Sequence, residues 1–175
     1  MTDPTNYRPI ATLSHFSKTL KRIIYDQHLF FLEKHDILTK FQFGFRKRHW
    51  TEKAILEITD NLKISIDNKL VTCGHFIDFS KAFDTINHKI FLAKLYKYGI
   101  RARPLEWFES YLNNRLQFVQ ISNEQSSLLK TTCRVPQGSI LGSLLFLIYI
   151  NYMVNSSTIL SFRMFADNAN IFYSN

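Results

Sequence analysis

The chain has 175 residues, of which 46% are hydrophobic and 15% aromatic, so it can bury a core of its own and is neither disordered nor of low complexity. Its formal net charge of +8 favours an anionic partner, and nucleic acid is the commonest such partner of a basic protein. The apolar run Ile140 to Ile150 is too short to span a bilayer, and the N-terminus lacks the apolar stretch of a secretory signal, so no membrane role is predicted.

The cysteines indicate an intracellular protein. Only Cys73 and Cys133 occur, far apart in the sequence, which predicts reduced thiols with no disulfide partner and no zinc site. Either the nucleus or the cytoplasm fits this pattern.

The N-terminal part is predicted to hold two helices. Apolar residues at helical spacing indicate a helix from Ser14, its N-cap, to about Lys34. A second helix is predicted from Thr51, its expected cap, to about Asp67. The apolar face of the second helix would consist of Ala54, Ile55, Ile58, Leu62 and Ile66.

Basic residues cluster in "KTLKR" (18–22), "FRKRH" (45–49) and "IRARP" (100–104), and a solvated helix face is the simplest interpretation of any one cluster. In the second cluster, Arg46, Lys47 and Arg48 are candidate contacts for a nucleic-acid backbone.

In the middle of the chain the hydrophobic period changes. The stretch "LVTCGHFIDFS" is β-branched and aromatic, and it predicts a buried strand that delivers Asp78 near its end. The helices "KIFLAKLYKYG" and "RPLEWFESYL" follow, the first ended by Gly99 and the second opened by Pro104. The runs "RLQFVQIS" and "SLLKTTCRV" then predict a hairpin around residues 123–125.

The C-terminal part is predicted to be a helix, from about Ile140 to Met153, followed by a hairpin. The hairpin strands, 159–166 and 169–173, flank the pair Asp167-Asn168, which has the residue types of a tight turn. The hairpin is expected to leave an unpaired sheet edge and an exposed apolar surface. Helices mixed with antiparallel hairpins indicate an α+β fold.

Asp78 and Asp167 both stand at the end of an apolar strand, where a carboxylate is costly to bury unless it is paired or bound to a metal. If the two strands are neighbours, both carboxylates meet at one sheet edge and can hold hard cations such as Mg²⁺. Two such ions would stabilise the attacking and leaving oxygens of a phosphoryl transfer. Taken alone, Asp78 also fits a helix N-cap or a surface turn, and Asp167 fits an ordinary hairpin turn.

The loop "CRVPQGSILGS" lies between the two aspartates. Its small residues precede an apolar helix, so its backbone amides could approach a base or a phosphate, although most such loops are only connections.

Together these segments resemble the reverse transcriptases of non-LTR, LINE-like retrotransposons. The resemblance runs in order through "NYRPIATLSHFSK", "FQFGFRKRHWTEKAI", "FIDFSKAFDTINH", "WFESYLNNRLQFVQI", "VPQGSILGSLLFLIYIN" and "FADN". It implies an RNA-directed DNA polymerase of right-hand architecture, a nucleotidyltransferase that acts on an RNA template, a DNA primer and deoxynucleoside triphosphates. Residues 1–70 would correspond to the fingers and residues 71–175 to part of the palm, with the thumb and the endonuclease domain absent.

The resemblance also implies roles for individual residues. Asp78, the backbone carbonyl of Phe79 and Asp167 would bind two Mg²⁺ ions. Phe83 would crowd the sugar 2′-hydroxyl and so select deoxynucleotides. The remaining nucleotide contacts would be made by Arg8, Gln137 and Gly138.

Asn168 departs from the family pattern, because it stands where the family has the second aspartate of a Phe-Ala-Asp-Asp turn. An amide offers a metal one neutral oxygen, whereas a carboxylate offers two oxygens and a full charge. We therefore expect a severe loss of catalysis with little loss of fold, as in a pseudoenzyme. Further departures from the family are Arg48, Trp50, Arg134, Ser143 and Tyr152. The alternatives are a non-catalytic nucleic-acid-binding remnant and a non-functional relic of a retrotransposon.

Overall fold

A computed structural model of the chain describes residues 14–79, 82–113, 115–121, 123–130 and 139–175. Within these ranges the α+β prediction is confirmed. The helices are α1 (His15–Lys34), α2 (Thr51–Asp67), α3 (His88–Lys97), α4 (Arg103–Leu112) and α5 (Ile140–Ile150), which continues into a 3₁₀ helix (Asn151–Asn155). The strands are β1 (Thr72–Asp78), β2 (Leu116–Gln117), β3 (Gln120–Ile121), β4 (Glu124–Gln125), β5 (Leu129–Lys130), β6 (Ser161–Phe165) and β7 (Asn168–Ser174).

The ends of the helices follow the local sequence signals, with one exception. The Ser14 hydroxyl caps α1 by accepting from the Ser17 N–H at 3.3 Å, as predicted. Gly99, just beyond α3, has a φ of +88°, a backbone conformation that a residue without Cβ adopts without strain. The exception is α2, where the cap is Trp50, which makes no side-chain capping bond, and the predicted cap Thr51 is already helical.

Helix α5 forms the centre of the core because it is apolar on nearly every side. Helices α1 and α3 pack on it, and α4 packs on α3. The regular helix ends at Ile150, three residues earlier than predicted. The next residue, Asn151, accepts from the Thr39 N–H (2.7 Å) and donates to the Ile37 carbonyl (2.8 Å), so it ties the segment after α1 to the end of α5.

The main sheet has the strand order β1-β7-β6 and is antiparallel throughout. The last strand in sequence, β7, is therefore the middle strand, and the prediction that the closing hairpin would form an unpaired edge is wrong for β7. The edges are β1 and β6, and β6 packs against α2. Phe162, Met164 and Ala169 are buried on the sheet.

Strand β1 is mostly exposed, so its prediction as a buried strand is wrong. Phe76, one residue past its centre, is 72% exposed, and β1 is an edge strand with β7 on one side. The predicted apolar face of α2 is also only partly correct. Ala54 is buried there, whereas Ile55 and Ile66 face solvent.

The middle hairpin exists as two short ladders, β2 with β5 and β3 with β4. Because Ile121 pairs with Glu124, the tip of the hairpin lies before the predicted residues 124–125, which belong to β4. All four of its strands are exposed.

Candidate active site

The sheet brings the two predicted aspartates to the same end of the neighbouring strands β1 and β7. Asp78 is the last residue of β1, and its register partner on β7 is Asn168. The next residue, Phe79, donates its N–H to the carbonyl of Asp167 at 3.0 Å. Register partners in an antiparallel pair lie about 4.5–5.5 Å apart at Cα and point to the same face. The sequence-based condition for a shared carboxylate site, that the two strands are neighbours, is therefore met.

The turn between β6 and β7 is centred one residue earlier than predicted. Phe165 pairs with Asn168, so the two central residues are Ala166 and Asp167. Ala166 has a φ of +54°, a conformation that hairpin turns require and that usually selects glycine or asparagine. Asn168 is consequently not a turn residue but the first residue of β7, and it faces Asp78 across the ladder.

Asp78 is exposed and Asp167 is half-buried, so both carboxylates are accessible from solvent. The described residues contain no group of three or more His, Cys, Asp or Glu side chains arranged to hold a metal ion. The third position of the family's carboxylate set is occupied in this chain by the amide of Asn168. The donors that remain are oxygens from two carboxylates and one amide, which suit a hard divalent cation but supply less negative charge than three carboxylates.

Phe83, the predicted sugar-discriminating residue, is half-buried and held between two other rings. Its ring centroid lies 6.1 Å from that of Phe45, before α2, and 5.2 Å from that of Phe146 on α5. These contacts restrict the rotamers open to Phe83. Its role toward a sugar stays a prediction.

The three candidate nucleic-acid contacts differ in exposure. Lys47 and Arg48 are exposed. Arg46 is half-buried, donates from Nη1 to the Thr39 carbonyl (2.7 Å), and has a pKa lowered by burial. Arg46 therefore supports the segment after α1, and its Nε is buried as well. Arg8, Gln137 and Gly138, together with Cys133, lie outside the described residues, and their predicted roles stay predictions. Cys73 is exposed and free.

The sequence did not indicate the support beneath the turn. Gln42 and Gly44, in the segment "FQFGF", contact the backbone of Ala166 directly. The only available signal was a glutamine and a glycine within an otherwise aromatic run.

A basic cavity lies between α1 and the start of α5. It has a volume of about 480 Å³ and is lined by Lys18, Thr19, Lys21, Arg22, Ile23, Ser139 and Ile140. The interpretation of "KTLKR" as a solvated face is wrong for Lys21, which is only 7% exposed. Its ammonium nitrogen lies 5.5 Å from the centre of the Tyr111 ring, and the Arg115 guanidinium lies 5.4 Å from the same ring. Burial, and then the charge of Arg115, lower the pKa of Lys21.

Residues 2–175 match the family model described as reverse transcriptase (RNA-dependent DNA polymerase). The chain belongs to the reverse transcriptase family. It is 33% identical over 152 residues to the probable RNA-directed DNA polymerase from transposon BS of Drosophila melanogaster, a match that covers 83% of this chain and 16% of that protein. It is 31% identical over 155 residues to the RNA-directed DNA polymerase from mobile element jockey of the same organism, covering 87% of this chain and 16% of that protein. The chain thus spans about a sixth of the length of these curated relatives.

Among solved structures, a telomerase from Candida tropicalis, in complex with a fragment of telomeric RNA, has a similar fold. The TM-score is 0.60 with 15% identity, and the match covers 92% of this chain and 29% of the telomerase chain. At this identity the likeness concerns the fold alone, and it agrees with an α+β polymerase fold of fingers and palm. No helix in the described part of the chain combines the length and apolar character of a membrane span.

Proposed function

We propose that this chain forms the nucleotidyl-transfer centre of an RNA-directed DNA polymerase of LINE type, with Asp78 and Asp167 as its metal-binding carboxylates. The observation that carries the proposal is the β1–β7 register, which sets Asp78 opposite Asn168 and next to the turn that holds Asp167. The relatives are named as RNA-directed DNA polymerases, which supports an RNA template, a DNA primer and deoxynucleoside triphosphates as partners. An intracellular location follows from this proposal and from the cysteine content.

Reverse transcriptases generally depend on divalent metal ions, and bound Mg²⁺ would stabilise the oxygens that exchange at phosphorus. The carboxylates of Asp78 and Asp167 would hold the ions, with the Phe79 carbonyl as a further oxygen ligand. Phe83, held by Phe45 and Phe146, would limit the space beside the sugar. Asn168 would contribute a neutral oxygen where a third negative charge is needed, so the natural chain would be a weak catalyst.

The test is primer extension on an RNA template with Mg²⁺, comparing the natural chain with Asn168→Asp. We expect the substitution to raise the rate by at least about tenfold, because a metal ligand contributes no less than the outer-shell partners whose loss costs about 10–100-fold. The double variant Asp78→Asn/Asn168→Asp serves as control and should show no extension above background.

Equal rates for the natural chain and Asn168→Asp would contradict the role given to Asn168. Extension by the double variant at the Asn168→Asp rate would contradict the role given to Asp78. Folding is checked by far-UV circular dichroism. The spectra of all three proteins should be the same, because Asp78 and Asn168 are exposed at the ends of their strands.

A second candidate function, binding of nucleic acid without catalysis, is favoured by the basic cavity. Lys18, Lys21 and Arg22 line it, and the described residues include no acidic partner for Lys21. A buried cation without a counter-ion, close to a second cation, costs stability unless an anion such as a phosphate occupies the cavity.

The discriminating experiment is a titration of single-stranded RNA binding at several salt concentrations, with Mg²⁺ or with a chelator. Binding by phosphate contacts alone predicts a steep loss of affinity with salt and the same affinity under both metal conditions. Lys21→Met should lower the salt slope by about one unit, since it removes one phosphate contact. The control is Lys53→Met on α2, which is exposed and lies outside the cavity. No measurable binding at low salt would exclude this function.

A further inference from the structure

The buried side chain of Gln42 is bonded to the turn that carries Asp167. Gln42 is only 3% exposed, and its Nε2 donates to the carbonyl of Ala166 at 3.3 Å. Its Oε1 accepts from the N–H of Ala166 at 3.1 Å and from the N–H of Gly44 at 2.9 Å. A single side-chain amide thus satisfies both the N–H and the carbonyl of Ala166.

The backbone around Gln42 is joined to the same hairpin. The Phe43 N–H donates to the Met164 carbonyl and the Met164 N–H donates to the Phe41 carbonyl, each at 2.8 Å. These bonds form a parallel bridge between residue 42 and Met164 on β6. The segment that precedes α2 is therefore attached to β6 beside the turn, and the Gln42 side chain is held at the correct distance from Ala166.

Gly44 closes the contact from the other side. A Cβ built on Gly44 would lie 2.0 Å from the nitrogen of Ala166 and 2.6 Å from its Cα, which no side chain can occupy. Only glycine lets the two backbones approach this closely. The approach matters for Gln42, because it brings the N–H groups of Gly44 and Ala166 to one acceptor oxygen.

These contacts act on a strained residue. Ala166 has a φ of +54°, a left-handed conformation that L-residues with a Cβ adopt only with steric strain. Strained conformations persist where the surroundings fix them from several directions. The residue at the positive-φ position is an alanine, not a glycine or asparagine, so its residue type does not favour this conformation. The two hydrogen bonds from Gln42 hold the backbone of Ala166 in it.

We propose that Gln42 is a positioning residue for Asp167. The carbonyl to which Gln42 donates belongs to the peptide unit that joins Ala166 to Asp167, so this bond sets the plane of that peptide. The plane in turn sets the direction in which the Asp167 side chain leaves the backbone. Gln42 touches no substrate and acts only through the Ala166 backbone. The metal-binding consequence rests on the proposed function, whereas the effect on the turn does not.

The test uses the full chain with three substitutions. Gln42→Met keeps the approximate size and removes both bonds. Gln42→Glu keeps the acceptor but loses the donor when it is ionised; protonated, it regains a donor. Phe108→Leu is the matched control, because Phe108 is also fully buried but contacts His28 on α1 and Phe91 on α3 in the helical core.

Two readouts are measured: the ¹⁵N–¹H chemical shifts of the amides of Gly44, Ala166 and Asp167, and the affinity for Mn²⁺ by electron paramagnetic resonance. Gln42→Met should shift these amides and weaken Mn²⁺ binding by about tenfold, the lower end of the effect of losing an outer-shell support. Phe108→Leu should lower the melting temperature but leave both readouts unchanged.

Gln42→Glu supplies a pH-dependent rescue. Burial favours the neutral form of its carboxyl, which reproduces both bonds of the glutamine amide. Its turn amides should therefore match those of the natural chain at pH 5 and diverge from them at pH 8, each compared at the same pH. Turn amides that match those of the natural chain at both pH values would contradict the need for a donor at this position.

The proposal is overturned if Gln42→Met leaves the three amide shifts unchanged and Mn²⁺ affinity within about twofold. It is also overturned if Phe108→Leu changes both readouts to the same extent, since the effect would then be one of stability. If neither the natural chain nor Asn168→Asp binds Mn²⁺, the proposed function fails, and the amide shifts alone decide the role of Gln42.

Discussion

At the scale of single residues, the position of Asn168 determines what its amide changes. Asn168 is a strand residue paired with Asp78, so its backbone takes part in the β1–β7 ladder whatever its side chain. Replacing an aspartate by asparagine there removes a charge from the shared face of two strands without disturbing a turn. This separation of backbone and side-chain roles explains why the family fold is retained while the candidate metal site loses a charge.

A second residue, His28, makes the stability of the fold depend on pH. Its ring lies against Phe108, with centroids 4.8 Å apart, and its Nδ1 is 2.8 Å from the Ile24 carbonyl. Burial lowers the pKa of His28, and the bond to Ile24 opposes this shift only in part. The unfolded chain therefore binds a proton at a higher pH than the folded chain does.

We predict that the free energy of unfolding falls as the pH is lowered below about 6.5, the ordinary pKa of histidine, down to the lower pKa of folded His28. Urea unfolding between pH 7.5 and pH 5 measures this slope. His28→Gln should flatten it, whereas His15→Gln, on the exposed first turn of α1, should leave it unchanged. A slope that survives in His28→Gln would assign the effect to other groups.

At the scale of elements, the β6–β7 hairpin combines a strained turn with a well-packed strand. Ala166 has a positive φ, whereas Ala169, three residues later, is a fully buried residue of β7. Glycine adds chain entropy to the unfolded state at either position. At position 166 it also relieves backbone strain, whereas at position 169 it also removes a packed methyl group.

We therefore predict opposite effects for the same substitution at two nearby positions. Ala166→Gly should stabilise the chain by about 1 kcal/mol, and Ala169→Gly should destabilise it by at least about 1 kcal/mol. Chemical denaturation of the two variants beside the natural chain measures both values. Destabilisation by Ala166→Gly would mean that the entropy gained by the unfolded chain outweighs the strain relieved at position 166.

The sequence predicted elements well where the signal is local. Helix α4 has the predicted bounds, and α1 has the predicted cap, because Pro104 and Ser14 act within one helical turn. The hairpin turn was placed one residue late because its residue types favour Asp-Asn at the centre. At the actual centre, Ala166 is hydrogen-bonded to Gln42, 124 positions away in sequence, a contact that no local pattern reveals.

Prediction of the candidate site also succeeded where the signal was local and failed where it depended on packing. The sequence made Asp78 and Asp167 candidates because a carboxylate at the end of an apolar strand stands out. Their proximity depended on a strand pairing, and the structure confirms that pairing. Lys21 could not be distinguished from its neighbours in "KTLKR", because its burial arises from the helix packing of α1 and not from its own segment. Burial of β1 was overestimated since apolar residues on an edge strand look like those of a central one.

At the scale of the whole molecule, an exposed apolar edge coexists with a net charge of +8. Val71 and Phe76 on and beside β1 are 79% and 72% exposed, and the Phe76 ring contacts that of Phe172 on β7 with centroids 5.9 Å apart. An edge strand with apolar side chains is a template for pairing with a second copy. Repulsion between the positively charged copies opposes this association, and added salt screens that repulsion.

We therefore predict that self-association of the chain increases with salt and that β1 mediates it. Sedimentation velocity of the natural chain should show a fraction of dimers and larger oligomers that grows as the salt concentration rises from about 50 mM to about 500 mM. The electrostatic screening length at the upper end is roughly a third of that at the lower end. Phe76→Thr, which keeps a β-forming residue in the strand, should reduce that fraction. The control is Phe30→Gln on α1, which removes a phenylalanine that is 67% exposed but lies on a helix away from the sheet edge. Equal reduction by both substitutions would show that general surface hydrophobicity, and not the β1 edge, drives the association.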